Sequence, residues 1–393
     1  MHKIMTIFGT RPEAIKLAPV VRELARHPDE FDSIVGVTGQ HDELLTQVLQ
    51  LFDIRPRFNL KVMQANQGLS DLTAVILKHL GAIFKDLRPD LLLIQGDTTT
   101  VFAAALAAFY QKIRIGHVEA GLRTEDKYQP YPEEINRRLT DQMSDLFFAP
   151  TAVSRDNLLG DGIAPEKIHI TGNTVVDALH SILRSRHPDP AVRGDRKMIL
   201  ITAHRRENFG RPLENILSAL RKLSDTYPEV DFVFPVHPNP NIGEPVRRRL
   251  GDAANIRLLP PLDYMSFVDL MERAYVILTD SGGVQEEAPT LAKPVLILRQ
   301  KTERPEVVCA GGARLVGTDP GTIVQEVSRL LQDPARYRSM ARAPNPYGDG
   351  TAAKKIVRII ADYLGRDHPT SALAWQPPMP LGAEKTFVQP HHL

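Results

Sequence analysis

Lys3-Ile4-Met5-Thr6-Ile7-Phe8-Gly9-Thr10-Arg11-Pro12-Glu13-Ala14-Ile15-Lys16 is the stretch that decides the fold. Residues 3–8 form a short, mostly apolar run of the kind that makes a strand buried on both faces. The run stops at Gly9, which permits a tight turn, and Pro12 suits the first turn of a helix. Helical patterning then continues through residues 13–26. Strand, tight turn and helix in that order open a βαβ unit.

Working outward, the same alternation repeats. Strand-like runs at 31–38, 90–95, 113–118 and 146–149 are separated by helical patterns at 42–51, 69–87, 98–111 and 133–143. Residues 188–196 carry proline and charge but little apolar character, and read as a linker. The alternation then restarts, with strands at 198–202, 230–236, 255–259, 275–279, 294–298 and 314–316. Helices are expected to begin near Pro212, Gly243, Asp263, Ser281 and Pro320. The expected fold class is α/β, with two Rossmann-like, doubly wound domains at 1–187 and 197–350. Ligand is expected in the crevice at the carboxyl ends of the strands. A last helical pattern spans 351–364, and residues 366–393, rich in proline and histidine, read as a mobile tail.

The 393-residue length calls for two domains. Lys plus Arg total 48 against 47 Asp plus Glu, so no global charge draws the chain to nucleic acid or to a membrane surface. Cys309 is the one cysteine, which excludes an intrachain disulfide and fits a reducing compartment. No apolar stretch approaches the roughly 20 residues of a membrane span, and the start lacks a secretory pattern, so a cytoplasmic location is expected.

Several strand ends carry chemistry. Arg11 and Lys16 follow the first strand and project toward the crevice, although they also read as two solvated cations. Their turn is not Gly-x-Gly-x-x-Gly, so no dinucleotide is expected on it. Asp97, in Gln95-Gly96-Asp97-Thr98, is either a helix cap or a functional carboxylate. Glu119, in His117-Val118-Glu119-Ala120-Gly121-Leu122-Arg123, ends an apolar strand, where burial is expected to raise its pKa as a general acid requires. Glu133 and Arg137, in Pro132-Glu133-Glu134-Ile135-Asn136-Arg137-Arg138, share a helix face and alone read as a surface salt bridge. Asp97, Glu119 and Glu133 all fall at the carboxyl edge of one sheet.

The second half supplies cations and a helix start. Thr202-Ala203-His204-Arg205-Arg206-Glu207-Asn208 brings up to three positive charges to the crevice. In Asp280-Ser281-Gly282-Gly283-Val284-Gln285-Glu286-Glu287-Ala288, Ser281 suits an N-cap and the glycines let a ligand approach the backbone. A phosphate suits such a helix start, and Glu287 is placed to hold a ribose diol. No metal is expected: there is no His-Glu-x-x-His and no cysteine pair, and His391-His392 in the tail reads as incidental. No Gly-x-Ser-x-Gly elbow is present.

Together with Thr302-Glu303-Arg304-Pro305-Glu306 and Pro261-Leu262-Asp263-Tyr264-Met265-Ser266-Phe267, these motifs resemble the non-hydrolysing UDP-N-acetylglucosamine 2-epimerases over about residues 3–364. The resemblance implies the glycosyltransferase-B architecture, with helix 351–364 crossing back to the first domain. It implies conversion of UDP-GlcNAc to UDP-ManNAc without a cofactor, and a homodimer. Carried over, Asp97, Glu119 and Glu133 match the acid–base carboxylates, and Arg11, Lys16, Arg137, His204 and Arg304 match substrate contacts. Ser281, Gly282 and Gly283 match the diphosphate cradle, Glu287 the ribose ligand, and Leu262 and Phe267 the uracil pocket. Without the resemblance the last two read as ordinary helix core.

The implied route is elimination of UDP to a 2-acetamidoglucal and re-addition after protonation on the opposite face, with Arg11, His204 and the Ser281 helix start stabilising the leaving group. Some members also bind a second UDP-GlcNAc as activator. Gln40, His41, Gln67, Arg205 and His237 match that pocket, but Glu43 and Asn66 depart from it, so weak or absent activation is expected. A hydrolysing 2-epimerase, a glycosyltransferase on the same scaffold and a UDP-sugar-binding regulatory module are the alternatives.

Overall fold

A computed structural model describes residues 1–39, 42–62, 67–185 and 196–365. Residues 188–195 of the expected linker at 188–196, and the tail at 366–393, lie outside the described residues.

The first sheet has seven strands: β1 (His2–Phe8), β2 (Phe31–Val37), β3 (Phe58–Asn59), β4 (Leu91–Gln95), β5 (Arg114–Val118), β6 (Leu146–Ala149) and β7 (Ile168–Ile170). The second has six: β8 (Met198–Thr202), β9 (Asp231–Pro235), β10 (Ile256–Leu259), β11 (Val276–Thr279), β12 (Val295–Ile297) and β13 (Ala313–Leu315). Spatial order is β3-β2-β1-β4-β5-β6-β7 in one and β10-β9-β8-β11-β12-β13 in the other. All pairings are parallel. Helices on both faces explain why Leu91-Leu92-Leu93-Ile94-Gln95 is buried throughout, with no polar alternation.

Each sheet reverses its winding once, between β1 and β4 and between β8 and β11. Loops diverge at such a point and leave a crevice above the strand ends. Gly9 sits at the first of these points for a steric reason. A Cβ there would lie 2.2 Å from Thr38 Oγ1 and 2.5 Å from Thr100 Oγ1. Close approach of two neighbouring side chains, more than turn conformation, demands the glycine.

The two halves share packing. One apolar cluster joins Phe8 and Ala18 of the first half to Val284, Ile297 and Tyr347 of the second. Helix Ala352–Tyr363 returns to the first half and packs on helices Arg11–Leu24 and Thr174–Ser185. Its buried face is Ile356, Val357, Ile360 and Ala361, each large side chain contributing about 1.5–3 kcal/mol of burial. Tyr363 lies outside that face, exposed, with Arg114 stacked on its ring. Asp177 accepts from the backbone N–H groups of Ala352 (3.2 Å) and Ala353 (2.9 Å), anchoring the start of the returning helix. Burial pushes that carboxyl up to about 6 despite the two donors.

Candidate active site

Asp97 and Arg137 meet first. Thr98, not Asp97, caps helix Thr99–Tyr110, its hydroxyl accepting from Val101 N–H. Asp97 is thereby released from capping and takes two hydrogen bonds from Arg137 on Oδ2, from Nε at 3.0 Å and Nη2 at 2.5 Å. Asn136 Nδ2 donates to the Asp97 carbonyl at 3.0 Å. Arg137 is only 3% exposed and also reaches Glu134 at 3.0 Å. The surface pairing of Glu133 with Arg137 is therefore corrected: Arg137 turns inward, and Glu133 is left half-buried near Asp97. Burial and the neighbouring Asp97 push the Glu133 carboxyl up.

Glu119 behaves in the opposite way to the sequence expectation. It is buried, but Lys16 and Arg304 overcome burial and hold its carboxyl below the usual range. Lys16 Nζ donates to Glu119 Oε2, Asn173 Nδ2 donates to the same oxygen at 2.6 Å, and Arg304 Nη2 lies 3.7 Å from Oε1. The backbone of Glu119 is left-handed, with φ +65°. A side chain held in that region costs on the order of 1–3 kcal/mol, and such strain concentrates at functional sites.

The second half closes over this group. Lys16 also pairs with Glu286 at 3.0 Å, and Arg304 Nε donates to Glu286 Oε1 at 2.6 Å. Arg304 Nη1 pairs with Glu303 as well. Burial works against the charge on Lys16, yet Glu119 and Glu286 hold its pKa above the ordinary value. Lys16 is thus a buried tie between halves, and the solvated-cation alternative fails. Arg11 makes a second tie, donating from Nη1 to the Leu262 carbonyl at 2.8 Å.

Glu287 lies behind Arg11. Tyr264 donates its hydroxyl to Glu287 Oε1 at 2.5 Å, and burial pushes the carboxyl up to about 7. Leu262 and Phe267 are half-buried, Phe267 against the core cluster. Helix Gly282–Glu287 opens at Ser281, whose side chain makes no capping bond. Its N–H instead donates to Thr279 Oγ1 at 2.9 Å. A Cβ on Gly282 would lie 2.4 Å from Arg304 Nη1, so this glycine makes room for the arginine. A Cβ on Gly283 would meet only Glu287 Oε2, at 3.7 Å.

His204 follows β8. Asp280 accepts from the backbone N–H of His204 and of Arg205, each at 2.9 Å to Oδ2, which fixes this turn. The His204 ring stacks on His237 at 5.7 Å between centroids. Burial lowers its pKa, and Arg205 and His237 add to that against Asp280. Arg205 lies 3.7 Å from Glu303 Oε1, His237 is exposed and Gln67 is half-buried. Gln40 and His41 lie outside the described residues, as does Asn66.

The structure thus brings Asp97, Glu119, Glu133, Arg137, Lys16 and Arg304 around one junction. It adds Glu286, Glu303 and Asn173, which sequence reading does not single out. Glu286 sits beside Glu287 in a short helix, and only the packing of the opposite half shows that it faces Lys16. Among the described residues no group of three or more His, Cys, Asp or Glu is placed to hold a metal ion. Among the same residues no helix is long and apolar enough to cross a membrane.

Comparison with known proteins places this geometry in context. The family model described as UDP-N-acetylglucosamine 2-epimerase matches residues 22–361. The UDP-N-acetylglucosamine 2-epimerase of Escherichia coli strain K12 is 52% identical over 373 residues, covering 91% of this chain and 98% of its own. That of Bacillus subtilis strain 168 is 49% identical over 373 residues, covering 94% and 98%. A crystal structure of UDP-GlcNAc 2-epimerase from Neisseria meningitidis bound to UDP-GlcNAc superposes with a TM-score of 0.89. It is 47% identical and covers 92% of this chain and 100% of its own.

Proposed function

The chain belongs to the UDP-N-acetylglucosamine 2-epimerase family, and from that premise we propose how its two halves divide the reaction. It is an isomerase of glycosyltransferase-B architecture that interconverts UDP-GlcNAc and UDP-ManNAc. We assign the carboxylate chemistry to the proposed domain 1–187 and most leaving-group stabilisation to the proposed domain 197–350.

The C2 proton of the sugar is not next to a carbonyl, so direct abstraction is hard. Elimination avoids this. A carboxylate takes the C2 proton, the C–H electrons form the C1–C2 double bond, and UDP leaves C1 with the C–O pair. Protonation of C2 on the opposite face then lets UDP return to C1. One ionised and one protonated group must stand ready, on opposite faces. The single observation that carries the reading is the opposite bias on two carboxyls at one sheet edge. Glu119 is held down by Lys16 and Arg304, while Glu133 is pushed up by burial and Asp97. We assign Glu119 as the standing base and Glu133 as the standing acid, with Asp97, oriented by Arg137, completing the set.

Arg11, His204 and the Ser281-Gly282-Gly283 helix start are assigned to the departing diphosphate, where fixed donors act best in a site shielded from water. Glu287 is assigned to the ribose, and Leu262 and Phe267 to the uracil. Lys16, Arg304 and Glu286 join the halves, so domain closure would retain UDP between the two steps. No redox cofactor or metal is assigned. The exposed pairs Phe109 with Tyr110 and Ile135 with Leu139 support a homodimer, testable by light scattering. The lone Cys309 supports a cytoplasmic setting.

Incubation with UDP-GlcNAc separates this reading from its rivals. UDP-ManNAc should accumulate to an equilibrium mixture. Free ManNAc with stoichiometric UDP would instead mark a hydrolysing enzyme, and no reaction without an acceptor would mark a glycosyltransferase.

A further inference from the structure

His117 is fully buried, away from any substrate, yet it is connected to each of the three carboxylates assigned to acid–base work. It lies in β5, two residues before Glu119. Its Nδ1 is 2.6 Å from Asp141 Oδ1, on the helix Glu133–Met143 that carries Glu133 and Arg137. Its Nε2 is 2.8 Å from the Gly96 carbonyl oxygen. That carbonyl belongs to the peptide unit whose nitrogen is Asp97's own, so the contact fixes the plane from which Asp97 departs. The Gly96 N–H donates to the Val118 carbonyl at 3.1 Å. Strand β5 therefore grips Gly96 from both sides, and Gly96 adopts φ +80°, open to glycine without strain.

Both partners of the ring are acceptors: a carboxylate oxygen and a carbonyl oxygen. A neutral imidazole has one N–H and would turn a lone pair toward one of them. The second oxygen of Asp141 takes Arg123 Nη2 at 2.7 Å, and Arg123 Nη2 also meets Asp161 Oδ2 at 2.6 Å. Burial disfavours the Asp141 charge, but His117 and Arg123 hold that carboxyl below its usual range.

We propose that His117 is a positioning residue that sets Asp97, Glu119 and Glu133 relative to one another, donating from both ring nitrogens at once. The proposal rests on the acid–base role assigned to those three carboxylates. It acts through them: strand β5 carries Glu119, the Gly96 peptide carries Asp97, and Asp141 anchors the helix of Glu133. Reacting groups misplaced by about 1 Å lose roughly 100-fold in rate, so breaking one of these ties should be visible in turnover.

The test uses the full-length enzyme and His117→Gln, which keeps one donor, beside His117→Phe, which keeps none. For His117→Gln we expect kcat to fall about 100-fold, with the KM for UDP-GlcNAc and the Kd for UDP changed by less than about threefold. Apart from Arg11, the groups assigned to the nucleotide lie in the other half. Adding His117→Gln to Asp97→Asn should cost much less than it does alone, because the two act on one function. Selective ¹⁵N labelling of histidine in the wild-type enzyme should show one buried ring with both nitrogens protonated at pH 7. Normal kcat in folded His117→Gln, or full additivity with Asp97→Asn, would overturn the positioning role. A neutral-tautomer signal for His117 would overturn the double donation. If His117→Phe does not fold, the glutamine variant and the labelled wild type still decide. Should Asp97→Asn itself turn over normally, the acid–base reading fails first, which is a different result.

Discussion

Arg137 commits both Nε and Nη2 to the same oxygen of Asp97, at 3.0 and 2.5 Å, instead of one to each oxygen. Arg137 is buried and Asp97 half-buried, and the geometry depends on a planar fork that an ammonium group lacks. Arg137→Lys should keep the charge but lose the orientation. We expect kcat to drop by about 10- to 100-fold with UDP affinity unchanged, read from steady-state kinetics and calorimetry. A variant as fast as wild type would remove the orienting role.

Asp97→Asn, Glu119→Gln and Glu133→Gln each keep shape and lose a titrating group. Each should lower kcat by roughly 10²–10⁴, the range of general acid–base catalysis, while UDP still binds. Near-normal turnover in all three would end the acid–base assignment.

Glu287 links pH to nucleotide binding. Its carboxyl is pushed up to about 7, and a ribose diol donates best to the ionised form. Protonation below that pKa removes the acceptor, so affinity should fall as pH drops through about 7 and be retained above it. The slope approaches tenfold per pH unit at its steepest. UDP itself titrates in the same range, so the wild type is compared with Glu287→Gln by calorimetry from pH 5.5 to 8.5. The variant should bind more weakly at high pH and vary less. Parallel profiles would contradict the ribose assignment.

Substrate activation is expected to be weak, because Glu43 and Asn66 depart in sequence from the residues that the resemblance matches to an activator pocket, adding an acid and lacking a cation. Initial rates against UDP-GlcNAc should be hyperbolic. A sigmoidal curve that His237→Ala abolishes would overturn this.

Much of the fold was legible because its signals are local. Residues 91–95 are continuously apolar, as a strand buried on both faces must be. The same logic put Asp97 and Glu119 at strand ends and so on one edge. Strand β3 has two residues and β7 has three, the latter with His169 at its centre, so neither carries enough pattern to be read. Helix Thr174–Ser185 does carry a pattern, with Val175, Leu179 and Ile182 buried, and only its place against the returning helix gives it meaning.

Pairings between elements were not legible. Spacing puts Arg137 beside Glu133, but Asp97 is the closer partner because the loop after β4 carries it to the buried guanidinium. Burial alone suggested a raised pKa for Glu119, and two cations from distant segments reverse the sign. Sequence matches Gly282 to a ligand cradle, and only packing adds that a side chain there would meet Arg304.

The measurement closest to the central claim is proton NMR of UDP-GlcNAc with the enzyme in D2O. Removal of the C2 proton and its replacement from solvent on either face should deposit deuterium at C2 of both UDP-GlcNAc and the new UDP-ManNAc. A manno signal that keeps its original C2 proton, or deuterium uptake with no manno product, would contradict elimination and re-addition between these carboxylates.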